Sequence, residues 1–330
     1  MKIKMRLIQT LQRSALAGLV TLGLVAGASR SQASLTPFSH VWVFGDSLSD
    51  TGNLFRMSGG AYPLPPCFEG RFCNGPLWVE HLADCLGMPL VREENFAVAG
   101  ATTGTFNSNN GLSNKIYPGL QNEIDSFQAL GPTTEPARAL YIVEAGPNDF
   151  GVALQLGTSP ADLIANGVSN TVVAVQRLWN SGARIIMVMN VPDIGVTPVA
   201  QAFGPQGPAM LTQLSAAYNQ VQELALQSLE QAGIPTIRLD AFAVIDRMYY
   251  SPATYGFTNI TTPWMSDPNP GNPDQYLYWV QWHPTTGAHK VLAEEAAQQL
   301  MNTFSPSHGN ASLNGLHGLV NAWVQRTAHK

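Results

Sequence analysis

Short runs of consecutive apolar residues alternate along the chain with longer segments whose apolar positions recur every three or four residues. Val41-Trp42-Val43-Phe44 is the first short run and Asn95-Phe96-Ala97-Val98 the second. Leu140-Tyr141-Ile142-Val143 follows, then Arg184-Ile185-Ile186-Met187-Val188-Met189, then residues 234–239. Each is bounded by Gly, Pro or Asp, and unbroken apolarity is what a strand covered on both faces requires. Between them, residues 160–179 set Leu163, Ile164, Val168, Val172, Val175 and Leu178 on one helical face, closed by Asn180-Ser181-Gly182. Residues 208–231 repeat the pattern with Gly233 as the stop, and residues 285–301 form a last helix after Pro284. Strand–helix alternation predicts a mostly parallel sheet covered on both faces. We expect one domain over residues 34–304, without repeat or linker. Residues 305–330, rich in Asn, Ser, Gly and His, read either as a loose tail or, from Leu316, Leu319, Val320 and Trp323, as carrying one short docked helix.

Composition narrows the partners. The 330 residues are 45% hydrophobic and 12% charged, with a net charge of −5. Soluble proteins average roughly 25% charged residues; a surface built from Asn, Gln, Ser and Thr instead suits an exported protein. No basic cluster follows the N-terminus, which disfavours nucleic acid and anionic membrane surfaces as partners. The N-terminus itself reads as an export signal. Lys2, Lys4, Arg6 and Arg13 precede an apolar stretch at 15–28, and Ser31-Gln32-Ala33 offers the small residues a signal peptidase needs. That stretch is shorter than the roughly 20 residues that span a bilayer. A signal peptide over residues 1–33, cleaved after Ala33, and a secreted or periplasmic product with no stable transmembrane segment are therefore expected. Export permits disulfides. Among three cysteines, Cys67 and Cys73 bracket a short loop and are the candidate pair. Cys85, in a helical pattern at 77–86, is a small core residue. No zinc-like spacing and no His-x-x-x-His pair occur, so no metal or other cofactor is expected.

In a parallel sheet the loops after the carboxyl ends of the strands gather at one edge, where sites form. Those loops carry Gly45-Asp46-Ser47-Leu48-Ser49, Gly100-Ala101-Thr102-Thr103, Gly146-Pro147-Asn148-Asp149 and, late in the chain, Trp282-His283-Pro284-Thr285. These residue types suit acyl transfer. A serine hydroxyl is a weak nucleophile without a base in hydrogen-bond reach, and His283 can serve Ser47. The tetrahedral intermediate needs donors fixed in advance. The N–H groups of Ser47 and Gly100 and the side-chain amide of Asn148 are the candidates, Gly100 having no side chain to block close approach. Ser47 is expected at a strand-to-helix turn, near a positive helix N-terminus. Singly, each piece is ordinary: a capped turn, an Asn-Asp turn, a structural histidine. Their joint placement at strand ends, in this order, carries the argument. The Gly-x-Ser-x-Gly elbow is absent, which disfavours the rival α/β-hydrolase fold. Asp46 is read as holding the turn, Asp50 as structural and His289 as a surface residue.

At this point a family resemblance is plain. Val43-Phe44-Gly45-Asp46-Ser47-Leu48-Ser49-Asp50-Thr51-Gly52-Asn53 resembles block I of the GDSL, or SGNH, hydrolases. Asn95 to Gly100 is similar to block II, with Gly100 at the oxyanion glycine; Gly146-Pro147-Asn148-Asp149 to block III, with Asn148 at the oxyanion asparagine; and His283-Pro284-Thr285 to block V, with His283 at the catalytic histidine. Gly70-Arg71-Phe72-Cys73-Asn74-Gly75 resembles the family's Gly-Arg-Phe-Ser-Asn-Gly, with Cys73 for serine, and Asn190-Val191-Pro192-Asp193-Ile194-Gly195 a further shared segment. The resemblance covers residues 41–302. It implies a three-layer α/β/α sandwich of the flavodoxin-like kind with a five-stranded, mostly parallel sheet, and ester hydrolysis without metal or organic cofactor.

One departure matters. The family's block V usually reads Asp-x-x-His, the Asp orienting the imidazole; here Val280 stands at that position. Loss of such a carboxylate can cost about 10⁴-fold in rate where the wrong tautomer results. Three readings stay open: a backbone carbonyl near Val280 holds the ring in a Ser–His dyad, Asp274 or Asp267 on the preceding loop reaches in, or the protein only binds its ligand. The joint presence of Ser47, Gly100, Asn148 and His283 favours activity. Residues 249–282 are rich in Tyr and Trp and run up to His283, either as a platform for substrate or as simple packing of a long loop. Lipid, short acyl ester and acetylated polysaccharide are all compatible substrates, and an acyltransferase would use the same acyl-enzyme. The resemblance to secreted lipases and lysophospholipase-like enzymes tilts the reading towards acyl lipids.

Overall fold

The computed structural model describes residues 38–304 and 314–327; the export signal expected at 1–33 lies outside them. Four parallel strands form the sheet: β1 (Val41–Gly45), β2 (Leu140–Glu144), β3 (Ile185–Met189) and β4 (Ile237–Leu239), in that spatial order. The register sets Val43 beside Ile142, Ile142 beside Met187 and Met187 beside Ile237. The fifth expected run, residues 95–98, lies along the other edge of β1. Phe96 N–H donates to Val43 O at 2.8 Å and Val98 N–H to Gly45 O at 2.9 Å, with a single parallel bridge between Val43 and Asn95. A full ladder does not develop because the Gly45 N–H, the β1 donor facing this run, goes to Glu123 Oε2 at 2.7 Å instead.

Alternation along the strands builds two cores. Val41, Val43, Leu140, Ile142, Met187, Met189, Ile237 and Leu239 face one side. There they meet helices α1 (Trp78–Cys85), α6 (Ala241–Tyr250) and α7 (Thr286–Thr303). Trp42, Phe44, Tyr141, Val143, Ile186 and Val188 face the other side, against α2 (Leu120–Gln128), α4 (Pro160–Asn180) and α5 (Gly207–Gln231). This is the three-layer α/β/α arrangement. Helix α3 (Pro147–Leu156) starts directly after β2 and packs Phe150 and Ala153 against α4 and α5. Within the segment read as a tail, helix α8 (Asn314–Thr327) docks Val320 and Trp323 into the first core, where the Trp323 indole N–H donates to Asp84 at 2.8 Å. No helix among the described residues is long and apolar enough to cross a membrane.

The expected Cys67–Cys73 bridge is not formed: both are free thiols. Cys73 is fully buried in the first core with its sulfur on Asn74 Oδ1 at 3.6 Å, whereas Cys67 stays half-exposed in the loop. Cys85 is buried, as a small core residue should be.

Candidate active site

Ser47 leaves β1 in a tight turn in which Asp46 O accepts from Ser49 N–H (3.1 Å) and Asp50 N–H (2.9 Å). The positive helix end expected beside Ser47 is absent. The next helical turn, Asn53–Met57, opens only after Gly52, and its orphan N–H groups belong to Asp50. The Asp50 carboxylate accepts from Gly52 N–H (2.8 Å), Leu54 N–H (3.0 Å) and also Ala99 N–H (2.8 Å), so it clamps the β1 loop onto the loop that carries Gly100.

Ser47 Oγ lies 2.7 Å from Nε2 of His283, which is 236 positions further along the chain. The histidine sits in a closed turn: its N–H donates to Val280 O (3.2 Å), and its carbonyl accepts from Trp279 N–H (2.8 Å) and Val280 N–H (3.3 Å). The ring of Phe72 stacks on the imidazole at 4.9 Å between centroids and 24° between planes. Burial pushes the imidazole down to about 4, because the charged form loses its hydration. At neutral pH the ring is thus unprotonated and able to accept the serine proton. We expect kcat/KM to stay level on acidification until roughly one unit above that value and then to fall, which initial rates on a short ester would show. Stability carries the same sign. A histidine depressed from 6.5 to about 4 on folding binds fewer protons than the unfolded chain between those values, so stability rises with pH across that window.

None of the three expected orienters holds the other ring nitrogen. His283 Nδ1 is buried and has no hydrogen-bond partner among the described residues. The Val280 carbonyl is occupied by the backbone N–H of His283 itself. The Asp267 carboxylate accepts from Tyr276 O–H (2.8 Å) and Asn269 N–H (2.9 Å) in its own loop. Asp274 is exposed on the short turn Pro273–Gln275.

Asn148, in the first turn of α3, is fixed from both ends of its amide. Nδ2 donates to Asp46 Oδ2 at 3.0 Å and Oδ1 accepts from Ser108 O–H at 3.1 Å. Since an amide nitrogen carries two protons, one remains for a ligand. Asp46, read from sequence as holding the turn, does so by accepting from Leu48 N–H at 3.0 Å; its grip on Asn148, and the part of Ser108, were not legible. Gly100 has φ +87°, and a Cβ there would come within 2.3 Å of Asn109 Nδ2 and 2.5 Å of Asn107 Oδ1. Only glycine fits. Among the described residues no protein acceptor takes the N–H of Ser47 or of Gly100.

The turn rests on buried acids. Glu144, at the end of β2, accepts from Ser49 O–H (2.8 Å) and, more weakly, from Asp46 N–H (3.4 Å), and Glu123 accepts from Gly45 N–H (2.7 Å) and Val98 N–H (3.1 Å). Burial, then the neighbouring Asp46, holds Glu144 well above the usual carboxylate range, and burial likewise raises Asp46 to about 7. His289 is not a surface residue. It lies on the buried face of α7 with Ala288 and Leu292, and its Nδ1 accepts from Trp78 N–H at 3.3 Å. Of the aromatic loop 249–282, Tyr278 and Trp282 border the site, while Trp264 stacks on Trp279 at 4.6 Å as packing.

Ser47, Gly100, Asn148 and His283 line one cavity of about 290 Å³. Met189, Ile194, Ala241, Ile245 and Leu292 make its inner wall mostly apolar, with buried Thr197 and His289 also lining it; Ser108, Asn109 and Gln155 give it a polar border elsewhere.

Residues 41–296 match the family model of the GDSL-like lipases and acylhydrolases. The chain belongs to this family. Thermolabile hemolysin of Vibrio parahaemolyticus serotype O3:K6 is 25% identical, over 82% of this chain and 66% of its own length. Phosphatidylcholine-sterol acyltransferase of Aeromonas hydrophila is 28% identical, over 84% of this chain and 94% of its own. The crystal structure of a GDSL-like lipase from Parabacteroides merdae superposes with a TM-score of 0.41 at 12% identity, covering 79% of this chain and 95% of that one. Membership in the GDSL family supports acyl-ester hydrolase or acyltransferase activity on small-molecule esters.

Proposed function

We propose that the protein is an exported carboxylic ester hydrolase working through an acyl-enzyme on Ser47. The observation that carries this reading is the 2.7 Å contact between Ser47 Oγ and the Nε2 of an imidazole that burial keeps neutral. Ser47 Oγ attacks the ester carbonyl while His283 Nε2 takes its proton. The carbonyl oxygen, now negative, accepts from Ser47 N–H, Gly100 N–H and the spare Asn148 amide proton. The imidazolium returns the proton to the leaving alkoxide as the carbon–oxygen bond breaks. Water then repeats the sequence and frees the acid and Ser47. The apolar inner wall suits the acyl group, and the polar border suits the alcohol part. The N-terminal sequence supports export of the mature domain, residues 34–304 with the segment 305–330.

Hydrolysis of p-nitrophenyl acyl esters of graded length, together with labelling by a serine-directed phosphonate, tests the reading. Turnover and a label on Ser47 are expected; no product at any length and no label would end it. The name of the Aeromonas relative supports a second reading, transfer of the acyl group to an alcohol. An added alcohol acceptor that yields a new ester in place of free acid would favour it.

A further inference from the structure

The catalytic turn leaves a physical problem. For Nε2 to accept from Ser47, the neutral ring must carry its proton on Nδ1, and that atom is buried without an acceptor among the described residues. One hydrogen bond, at Nε2, fixes one point of the ring and not its plane. The plane is set by Phe72. Its ring lies on the imidazole face at 4.9 Å and 24°, and is itself held on both sides. Tyr62 packs against it edge-on at 5.1 Å and 71°. On the chain, Arg71 is tied to Glu80 by bonds of 2.9 and 2.6 Å, and Cys73 is buried in the core. Phe72 is 8% exposed, and with His283 it lines the wall of the cavity.

We propose that Phe72 is a positioning residue for His283: its ring keeps the imidazole aimed at Ser47 and steadies the imidazolium that forms when the serine proton is taken, partly replacing the carboxylate lost at position 280. A cation within about 6 Å of an aromatic face is attracted by the ring quadrupole, so the contact strengthens as charge develops on His283. An interaction stronger in the transition state than in the ground state raises kcat. The proposal rests on the acyl-enzyme reading above.

Kinetics of Phe72→Leu, Phe72→Met and Phe72→Tyr on a short acyl ester, with melting temperatures beside them, decide the matter. Leucine and methionine keep apolar bulk and remove the face, and two such replacements guard against one failing to fold; tyrosine keeps the face. Both non-aromatic variants are expected to lose about five- to twenty-fold in kcat with KM little changed, while Phe72→Tyr keeps most of it. The acid limb of kcat/KM moves to lower pH in the non-aromatic variants, since burial remains but the support of the charged ring is gone, and stays in place in Phe72→Tyr. Wild-type kcat in a folded non-aromatic variant, equal losses in all three variants, or an unmoved acid limb would each overturn the proposal. Ser47→Ala separates the levels: if it is inactive while Phe72→Leu is normal, only the role of Phe72 falls; if Ser47→Ala keeps its turnover, the acyl-enzyme reading falls with it.

Discussion

Ser47→Ala is expected to lower kcat on an acyl ester by about 10⁴–10⁶-fold, with KM little changed. The side chain makes one hydrogen bond, to His283, and supports nothing else among the described residues; the turn around it is held by Asp46, Asp50 and Glu144. On the acyl-enzyme reading proposed above, the substitution therefore removes the nucleophile and leaves the fold, the cavity and the proposed oxyanion donors in place. Nucleophile and base act as a unit, so His283→Ala should cost nearly as much and the double variant scarcely more. The residual rate over water is what preformed donors alone supply. The loss is expected towards the lower end of the range, because a base without a partner at Nδ1 would give the wild type a slower starting rate. Single-turnover hydrolysis with circular dichroism as a fold control reads this out. A folded Ser47→Ala protein within ten-fold of wild type (about 1.4 kcal/mol) would sink the acyl-enzyme.

Much of this site could be read from the chain because its parts are backbone-adjacent. Gly45-Asp46-Ser47 closes β1, Asn148 opens α3 just after β2, Gly100 follows the run paired to the edge of β1 and His283 lies in the turn just before α7; the sheet brings the first three together whatever the intervening loops do. That the sheet would be covered on both faces was legible as well, because unbroken apolar runs require it; which residues share a core is seen only in the structure. What stayed hidden depends on side chains meeting across the fold. Phe72 lies in a loop of no regular period, and nothing local announces that its ring covers His283. The Asp46–Asn148 bond joins residues 102 positions apart. His289 looked polar and external, but α7 buries a broad face of small residues, Ala288, Ala293, Ala296 and Ala297, so the helix lies close enough to enclose a histidine as well. The Asp267 reading failed because that acid satisfies its own loop, a short polar side chain finding nearby donors sooner than a distant ring, and the Asp274 reading failed because its turn leaves the carboxylate exposed to water.

Val280→Asp is the second large effect, and it runs the other way: kcat is expected to rise by about 10²-fold. The closed turn that joins Val280 to His283 by reciprocal backbone bonds is intact here, so a carboxylate at 280 enters a frame already built. It would accept the Nδ1 proton, satisfy an atom that is now buried and alone, and favour the tautomer that leaves Nε2 free for Ser47. It would also stabilise the imidazolium. An opposite charge beside a histidine raises its pKa, so the acid limb should move up from about 4 towards neutrality. The two changes must appear together, because both follow from one charge next to one ring. The same carboxylate should weaken the dependence on Phe72. Once Nδ1 is anchored, Phe72→Leu combined with Val280→Asp is expected to cost less than Phe72→Leu in wild type, a coupling that a double-mutant cycle measures. A fall in kcat on Val280→Asp, with the fold retained, would mean that position 280 does not reach Nδ1 and that the turn holds its histidine by packing alone.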